Sequence, residues 1–508
     1  SYLTESYARL LVRMARLSGA RHASLFAENR LRVSSLMNHP QLKKRDRMIA
    51  VFRCILEQET STGTTFLKTV PDKSPYIVVG LSSQALQLPK HGRGADEFFA
   101  YLYQRYGINE REEVTKFIYD CIRSHAFQHG AEVELRRFSF FDRKAQTLYL
   151  SQYNGKAFKL DGNRVEEVRN GEGVYFADDD NGIHCENVEV AQHGVLLDQL
   201  TALSFAEDTP GGISPDLQRK AITIWLFALA FPDLMPTKPL IIFEGPPGSG
   251  KSSASQLIQL ALMGAKKPMI LQRNKEDDFG VILLRSPIAV FDNTDSFIEW
   301  VPDAVCSYTT SGMWTKRKFY TDNEEITIKP HAFIAIASKN PASFRREDTA
   351  DRCILIRLQR IKSNIRQEGL EAAILRQRGK LFGEYLYFAN EIVKRVREGA
   401  MDKEPDLGLD ENGEPIQKSF RMADFASLAF VVGDVLGWEP KETLSLLDAL
   451  ESERDAFINE DDPLSEILHT WLAKKSPGRP WNIGRLVTAQ ELFNELEQIA
   501  QMEHRQLY

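Results

Sequence analysis

Leu240-Ile241-Ile242-Phe243-Glu244 runs straight into Gly245-Pro246-Pro247-Gly248-Ser249-Gly250-Lys251-Ser252-Ser253. The first five residues are a short apolar run of the kind that forms a buried parallel strand. After Lys251 a helical pattern sets in, with Leu257, Leu260 and Leu262 on or near its inner side. Strand, glycine-rich turn and helix together fit G-x-x-x-x-G-K-[ST] with no mismatch. Each residue type has a physical reason. The glycines let backbone N–H groups turn inward around phosphate oxygens, and the helix N-terminus adds its positive dipole end. The spacing assigns Gly245 to Ser253 to a nucleoside triphosphate, with Lys251 reaching the β- and γ-phosphates and Ser252 supplying a hydroxyl to Mg²⁺.

Such a loop needs an acidic residue on a neighbouring strand. Pro287-Ile288-Ala289-Val290-Phe291-Asp292 provides it, so Asp292 is expected to act on the metal with Ser252. Asn293 follows, where a Glu or Asp commonly activates the attacking water. An amide orients a water but cannot take its proton, so the general base stays open, with Asp295 the nearest carboxylate. A third strand, Ala332 to Ser338, ends in Lys339-Asn340, and Asn340 is placed to hold the water against the γ-phosphate. Beyond it, Phe344-Arg345-Arg346-Glu347-Asp348-Thr349-Ala350-Asp351-Arg352 carries three arginines. Either they pair with Glu347, Asp348 and Asp351, or one reaches a neighbouring chain's nucleotide, which implies a ring.

Working outward, strand and helix alternate from about Asp198 to Ile361, the pattern of a parallel sheet with crossover helices. Upstream, Glu132 to Phe176 has a shorter period. Asn154-Gly155 and Asp161-Gly162 punctuate it as hairpin turns, which predicts a small β-meander. Helices are expected at Ala95–Tyr106 and Glu112–His125. After Ile361 the chain reads as helical, with an acidic loop over Asp402 to Pro415 and a last helix from Thr488 to Gln501. The resulting division is 1–130, helical and basic at its start; 131–197, the meander; 198–362, the nucleotide-binding unit; and 363–508, helical, with a winged-helix module as one option for its end.

Composition sets limits on function. The 508 residues are 43% hydrophobic and 26% charged with a net charge of −6, which excludes a fibre, a disordered chain and a bulk-basic chromatin protein. Up to Arg53, however, eleven Lys and Arg face three acids, a net of +8. That stretch is either a nucleic-acid-facing collar or a protein-binding surface. Five scattered cysteines form no C-x-x-C pair, so neither zinc nor disulfides are expected. His125 and His129 have no acidic or thiol partner nearby to complete a metal site. The longest apolar stretch, Ala221 to Phe231, is too short to span a bilayer, and no targeting segment is visible. A soluble, cytoplasmic protein is expected.

The series GPPGSGKS, IAVFDN, SGMWTKRKFYTD, FIAIASKN and FRREDTADR resembles superfamily 3 helicases within the AAA+ class. It is most like the primase-helicase ATPases of bacteriophages, plasmids and poxviruses. The resemblance is strong over Pro232–Ile361, moderate over Glu97–Gly182 and Phe420–Trp471, and absent before about Tyr76. It implies an α/β P-loop AAA+ motor with a parallel sheet, preceded by a helical and β-meander region and followed by helices. It further implies ATP and Mg²⁺ as ligands and a homo-oligomeric, hexameric ring on single-stranded or forked DNA. Asn340 falls at the family's sensor position and Arg352 at its arginine finger, with Arg345 and Arg346 as lesser candidates. Thr315 to Lys329 would form a hairpin in the ring channel, where Trp314, Lys316, Arg317 and Lys318 combine stacking with phosphate binding. This chain departs from the pattern at the hairpin tip, Asp322-Asn323-Glu324-Glu325, whose acids repel phosphate. Asp178-Asp179-Asp180 beside Asn181-Gly182 reads as a solvated turn, so a motor is expected without a polymerase.

Two functions follow. One is a DNA translocase or helicase of a mobile element or phage-related system. The other is an ATPase that assembles or remodels a protein complex, for example in anti-phage defence, without unwinding DNA. Asn293, the acidic tip and the negative net charge favour the second.

Overall fold

A computed structural model describes residues 23–70, 72–89, 93–109, 113–177, 182–272, 276–311, 314–317, 325–328, 331–362, 367–403, 420–460, 467–468, 471, 475–476, 479–480 and 488–502. The chain opens with α1 (Ala23–Met37) and α2 (Lys44–Ser61), then β1 (Thr65–Thr69), β2 (Pro75–Val78), β3 (Ala85–Gln87), α3 (Arg93–Tyr106), α4 (Glu113–His129) and β4 (Ala131–Val133). The four strands form one sheet in the order β3-β2-β1-β4, antiparallel except for the parallel β1–β4 pair. The helices close its inner face by packing Val51, Ile55, Phe98, Leu102, Ile118 and Ile122 around Ile77 of β2.

Glu59, 1% exposed, is the polar centre of this unit. It accepts hydrogen bonds from Thr64 at 2.6 Å, Tyr101 at 2.6 Å, Tyr106 at 2.7 Å and Arg105 at 3.1 Å. Full satisfaction is what makes a buried carboxylate tolerable. The expected basic collar lies partly on residues 1–22, outside the described residues. Several of its described members are engaged on their own chain: Arg30 with the Gln104 carbonyl at 3.2 Å, Arg47 with the Met37 carbonyl at 3.0 Å, and Lys44 with Glu113.

Next come β5 (Leu135–Arg136), β6 (Ser139–Asp142), β7 (Thr147–Ser151), β8 (Lys156–Leu160), β9 (Val165–Arg169) and β10 (Tyr175–Phe176). The expected meander is present as the antiparallel sheet β6-β7-β8-β9, while β5 and β10 pair in parallel beside it. Its turns carry the expected chemistry. At Asp161-Gly162, the Asp161 carboxylate accepts from the backbone N–H groups of Asn163 and Arg164, both at 2.9 Å. The sequence reading missed β9, Val-Glu-Glu-Val-Arg, because an exposed edge strand carries too much charge to show alternation. The Asp178–Asp180 cluster lies outside the described residues.

Residues 196–357 contain α5 (Leu196–Leu200), α6 (Pro215–Ala228), β11 (Leu240–Glu244), α7 (Lys251–Met263), β12 (Pro268–Met269), α8 (Glu276–Arg285), β13 (Ile288–Asp292), α9 (Val301–Ser311), β14 (Trp314–Arg317), β15 (Glu325–Ile328), β16 (Phe333–Ser338), α10 (Glu347–Ala350) and β17 (Cys353–Arg357). Five strands form a fully parallel sheet, β12-β13-β16-β11-β17. The alternation within each strand divides the two faces. Ile241, Phe243, Val290, Ala335 and Ile356 meet α6 and α7, and Leu240, Ile242, Phe291, Ile336 and Leu355 meet α8 and α9. This is the α/β P-loop AAA+ architecture expected from the motifs. Its strand order inserts β16 between the loop-bearing β11 and the acid-bearing β13.

The chain ends with α11 (Gln367–Arg397), α12 (Ala423–Val435), α13 (Pro440–Asn459), β18 (Lys475–Ser476), β19 (Arg479–Pro480) and α14 (Ala489–Met502). α13 starts at a capping box of Glu439 and Glu442 with Pro440 in its first turn. Residues 404–415 of the expected acidic loop lie outside the described residues. α11 is the main buttress of the molecule. Tyr385 stacks on Phe227 with ring centroids 5.5 Å apart, and Phe382 meets Phe158 of the meander edge-on at 6.0 Å. One core therefore runs through meander, sheet and C-terminal helices. Among the described residues, no helix is long and apolar enough to cross a membrane.

Candidate functional site

The phosphate loop hangs from the C-terminal end of β11, every residue of which is buried. Gly248 and Gly250 have φ of 80° and 83°, in the left-handed region that side chains resist. Gly250 caps α7 in this conformation, so Lys251 and Ser252 fall on the first helical turn, where N–H groups lack partners within the helix. Pro246, Pro247 and Gly248 are exposed, and Lys251, Ser252 and Ser253 are half-buried. Lys251 Nζ donates to the Pro246 carbonyl at 3.4 Å, which keeps the ammonium folded over the loop. Ser249 Oγ is buried and has no hydrogen-bond partner. An orphaned donor inside a phosphate loop is a group waiting for an anion.

The strand order brings the second half of the site alongside. Ser252 Oγ donates to Asp292 Oδ1 at 2.8 Å. A hydroxyl and a carboxylate at this separation are two hard oxygen ligands of the kind Mg²⁺ takes, so the residues present fit the ion. Asn293 sits at φ 56°, and its backbone N–H donates to Asp292 Oδ1 at 2.9 Å. Asparagine is among the few residues that adopt this conformation readily, which gives Asn293 a backbone reason beside its side-chain chemistry. Asp295 Oδ1 accepts from Ser338 Oγ at 3.0 Å and from the Lys339 N–H at 2.6 Å. That carboxylate ties the β13 loop to the end of β16.

Asn340 is exposed at the same rim, two residues past β16, its N–H on Ser338 Oγ at 3.1 Å. Ser338 also reaches the loop, since its carbonyl accepts from Gly245 N–H at 3.2 Å. Asp292 pairs in register with Ala337. Lys251, Ser252, Asp292, Asn293 and Asn340 thus share one edge of the sheet, at the carboxyl ends of its strands, where open α/β sheets bind ligands.

The three arginines take different positions. Arg346 forms exposed pairs with Asp348 at 2.6 and 2.8 Å and with Asp303 at 2.6 Å. Arg345 is largely covered, lying over the Phe457 ring at 5.4 Å with Glu460 at 3.5 Å. Arg352 is half-buried and donates to the Asp348 carbonyl and, at 3.8 Å, to Cys306 Sγ. Asp351 pairs instead with Arg421 at 2.6 Å and Arg454 at 3.3 Å.

β14 and β15 pair antiparallel with Trp314 opposite Ile328, Lys316 opposite Ile326 and Arg317 opposite Glu325. The expected hairpin strands are therefore in place. Lys318 and the acidic residues 322–324 lie outside the described residues. The base of the hairpin is anchored upstream: His331 contacts Glu134 at 2.7 Å and Arg136 at 2.8 Å, and Arg136 pairs with Asp233 at 2.9 Å. Burial holds the His331 imidazole below its usual range. Among the described residues, no three His, Cys, Asp or Glu cluster as a separate metal site, and the five cysteines are free.

Sequence reasoning missed three groups. Glu244 and Arg357 form a buried ion cluster under the loop, His331 anchors the hairpin, and Arg360 stands beside Gly248. Only the last had a visible signal, the basic Arg360-Ile361-Lys362 directly after an apolar strand.

No protein-family model matches the chain, and no curated protein matches it. Among solved structures it is similar to the apo C-terminal region of NrS-1, at 12–13% identity over 70% of this chain and 75% of that one, with a TM-score of 0.40. It is also similar to a structure described as "SCCmec type IV Cch - active helicase", at 13% identity over 87% of this chain and 86% of that one, with a TM-score of 0.43.

Proposed function

We propose that the chain is an ATP-hydrolysing motor that assembles as a ring, most simply a hexamer, and moves along single-stranded or forked DNA as a helicase or translocase of a phage-related or mobile element. The observation that carries the nucleotide reading is the 2.8 Å contact between Ser252, at the start of α7, and Asp292, at the end of β13, beside the end of β16 from which Asn340 follows. In this reading the motor occupies 198–362, flanked by the units 1–130, 131–197 and 363–508, and works in the cytoplasm.

Each residue then has a task. The loop N–H groups and Lys251 bind and orient the phosphates, and Ser249 Oγ gains an acceptor. Ser252 and Asp292 would hold Mg²⁺, which would supply charge neutralisation at the phosphates. Asn340 and Asn293 orient the attacking water by hydrogen bonding. Arg352, with Arg346 and Arg345 behind it, stabilises transition-state charge in the neighbouring subunit's site. Trp314, Lys316, Arg317 and Lys318 contact the strand in the channel.

A protein-remodelling ATPase is the second reading, favoured by the acidic run Asp322-Asn323-Glu324-Glu325, which would repel phosphate. The deciding experiment measures ATPase rate with and without single-stranded DNA, and unwinding of a forked duplex across a salt series. Stimulation and unwinding that weaken steeply with salt support the motor on DNA. Turnover indifferent to nucleic acid, with no unwinding, rules it out.

A further inference from the structure

The segment after β17 does not leave the sheet at once. Leu358 N–H donates to the Glu244 carbonyl at 2.8 Å, and Ile361 N–H donates to the Gly248 carbonyl at 3.1 Å. These two bonds lay 358–361 along the phosphate loop on the β17 side, the side away from β16 and Asp292. As a result, Arg360 Nε lies 3.9 Å and its Cγ 4.0 Å from the point where a Cβ on Gly248 would stand. Arg360 is exposed, and among the described residues no side chain or carbonyl engages its guanidinium. The other arginines near the site differ, since Arg345, Arg346, Arg352 and Arg357 all hold partners on their own chain.

A guanidinium presents a planar fork of donors that matches phosphate oxygens, and it keeps its charge at any accessible pH. Here one is tethered by backbone bonds beside the crest of a loop whose N–H groups cradle α- and β-phosphates. We infer that Arg360 is a nucleotide-binding residue, which contacts the α/β-phosphates from the same chain, across the loop from the Ser252–Asp292 pair. The assignment rests on the nucleotide-binding reading of the loop and adds to it a second cation besides Lys251. Because the α- and β-phosphates are common to ATP and ADP, the contact acts on both nucleotides alike and belongs to binding rather than to turnover.

The test titrates fluorescent (N-methylanthraniloyl) ADP and a non-hydrolysable ATP analogue onto the full chain as wild type, Lys251→Ala, Arg360→Ala and Arg360→Lys, with steady-state ATPase kinetics alongside. Arg360→Ala should weaken both nucleotides by roughly 10- to 100-fold, the range of a lost charge-assisted hydrogen bond. KM should rise by a similar factor with kcat held within about twofold, the signature of uniform binding. Arg360→Lys should recover part of the loss, and the melting temperature should not move. Wild-type affinity for both nucleotides in Arg360→Ala overturns the inference while leaving the loop's role intact. So does a fall in kcat with affinity unchanged, which would place Arg360 in turnover. Undiminished binding in Lys251→Ala would overturn the reading of the loop itself and this inference with it.

Discussion

Arg357 Nη1 donates to Glu244 Oε2 at 2.7 Å directly beneath the phosphate loop. The same guanidinium reaches Glu453 at 2.6 Å and Glu460 at 3.0 and 3.1 Å. One cation thereby links the loop-bearing strand β11 to the C-terminal helix α13, and Glu460 passes the link on to Arg345. Burial, together with the neighbouring Glu460 and Glu453 and against the pull of Arg357 and Arg345, pushes the Glu244 carboxyl up to about 7.

That shift has a defined pH consequence. The folded protein holds this proton more tightly than the unfolded chain, whose Glu ionises near 4.5. Stability from this group is complete below about pH 4.5 and is lost as pH rises through about 7, by on the order of 3 kcal/mol. Glu244→Gln removes the dependence. Denaturant midpoints measured from pH 4.5 to 8 should show wild type falling relative to the variant across that window and then levelling. A constant offset would mean that Glu244 is ionised throughout.

Lys251→Ala should abolish nucleotide binding, and Asp292→Asn should leave much of the binding while cutting turnover by about 100-fold or more, since only the metal's charge stabilisation is removed. Isothermal titration with ATP and Mg²⁺, paired with a phosphate-release assay, separates the two effects. Equal turnover in Asp292→Asn and wild type would remove Asp292 from the site.

Arg352→Ala should bind ATP normally and lose turnover by roughly 10³-fold, the scale of an arginine acting on transition-state charge. Arg346→Ala should leave stability within about 0.5 kcal/mol, because its pairs with Asp348 and Asp303 are exposed. Mixing Arg352→Ala chains with Asp292→Asn chains should restore part of the activity if the arginine serves a neighbour. Full activity of Arg352→Ala alone would withdraw the ring argument.

In the N-terminal unit, Arg105→Ala strips the cation from Glu59, and both side chains are fully buried. Leaving that carboxylate uncompensated should cost about 3–5 kcal/mol, read as a lowered denaturant midpoint. Glu59→Gln with Arg105→Leu should recover part of it. A change below about 1 kcal/mol in the single variant would show that the two tyrosines suffice.

What the sequence revealed follows from range. The phosphate loop, Asp292, Asn340 and the hairpin turns at Asn154-Gly155 and Asp161-Gly162 are local patterns, each readable within a dozen residues. The order of the strands is not local, yet the three apolar runs ending at Glu244, Asp292 and Ser338 were enough to expect a parallel sheet. β9 escaped because its charges mask the period, and Arg357 escaped because its partners are 96, 103 and 113 residues away. The engagement of Arg345 with Phe457 has the same origin: its covering ring belongs to a helix with no motif of its own.

The core shared by meander, sheet and α11 bears on how force would be delivered. Phe138, Leu150 and Leu160 of the meander pack in one continuous cluster with Phe227, Phe382 and Tyr385. A stroke that pivoted the meander on the sheet would have to pull those rings apart, at several kcal/mol for each aromatic exposed. If the chain turns over nucleotide as proposed, that cost would recur in every cycle. In a ring of these chains, as proposed, the cheaper hinge would lie between copies, and each chain would move as a solid wedge rather than a jointed arm.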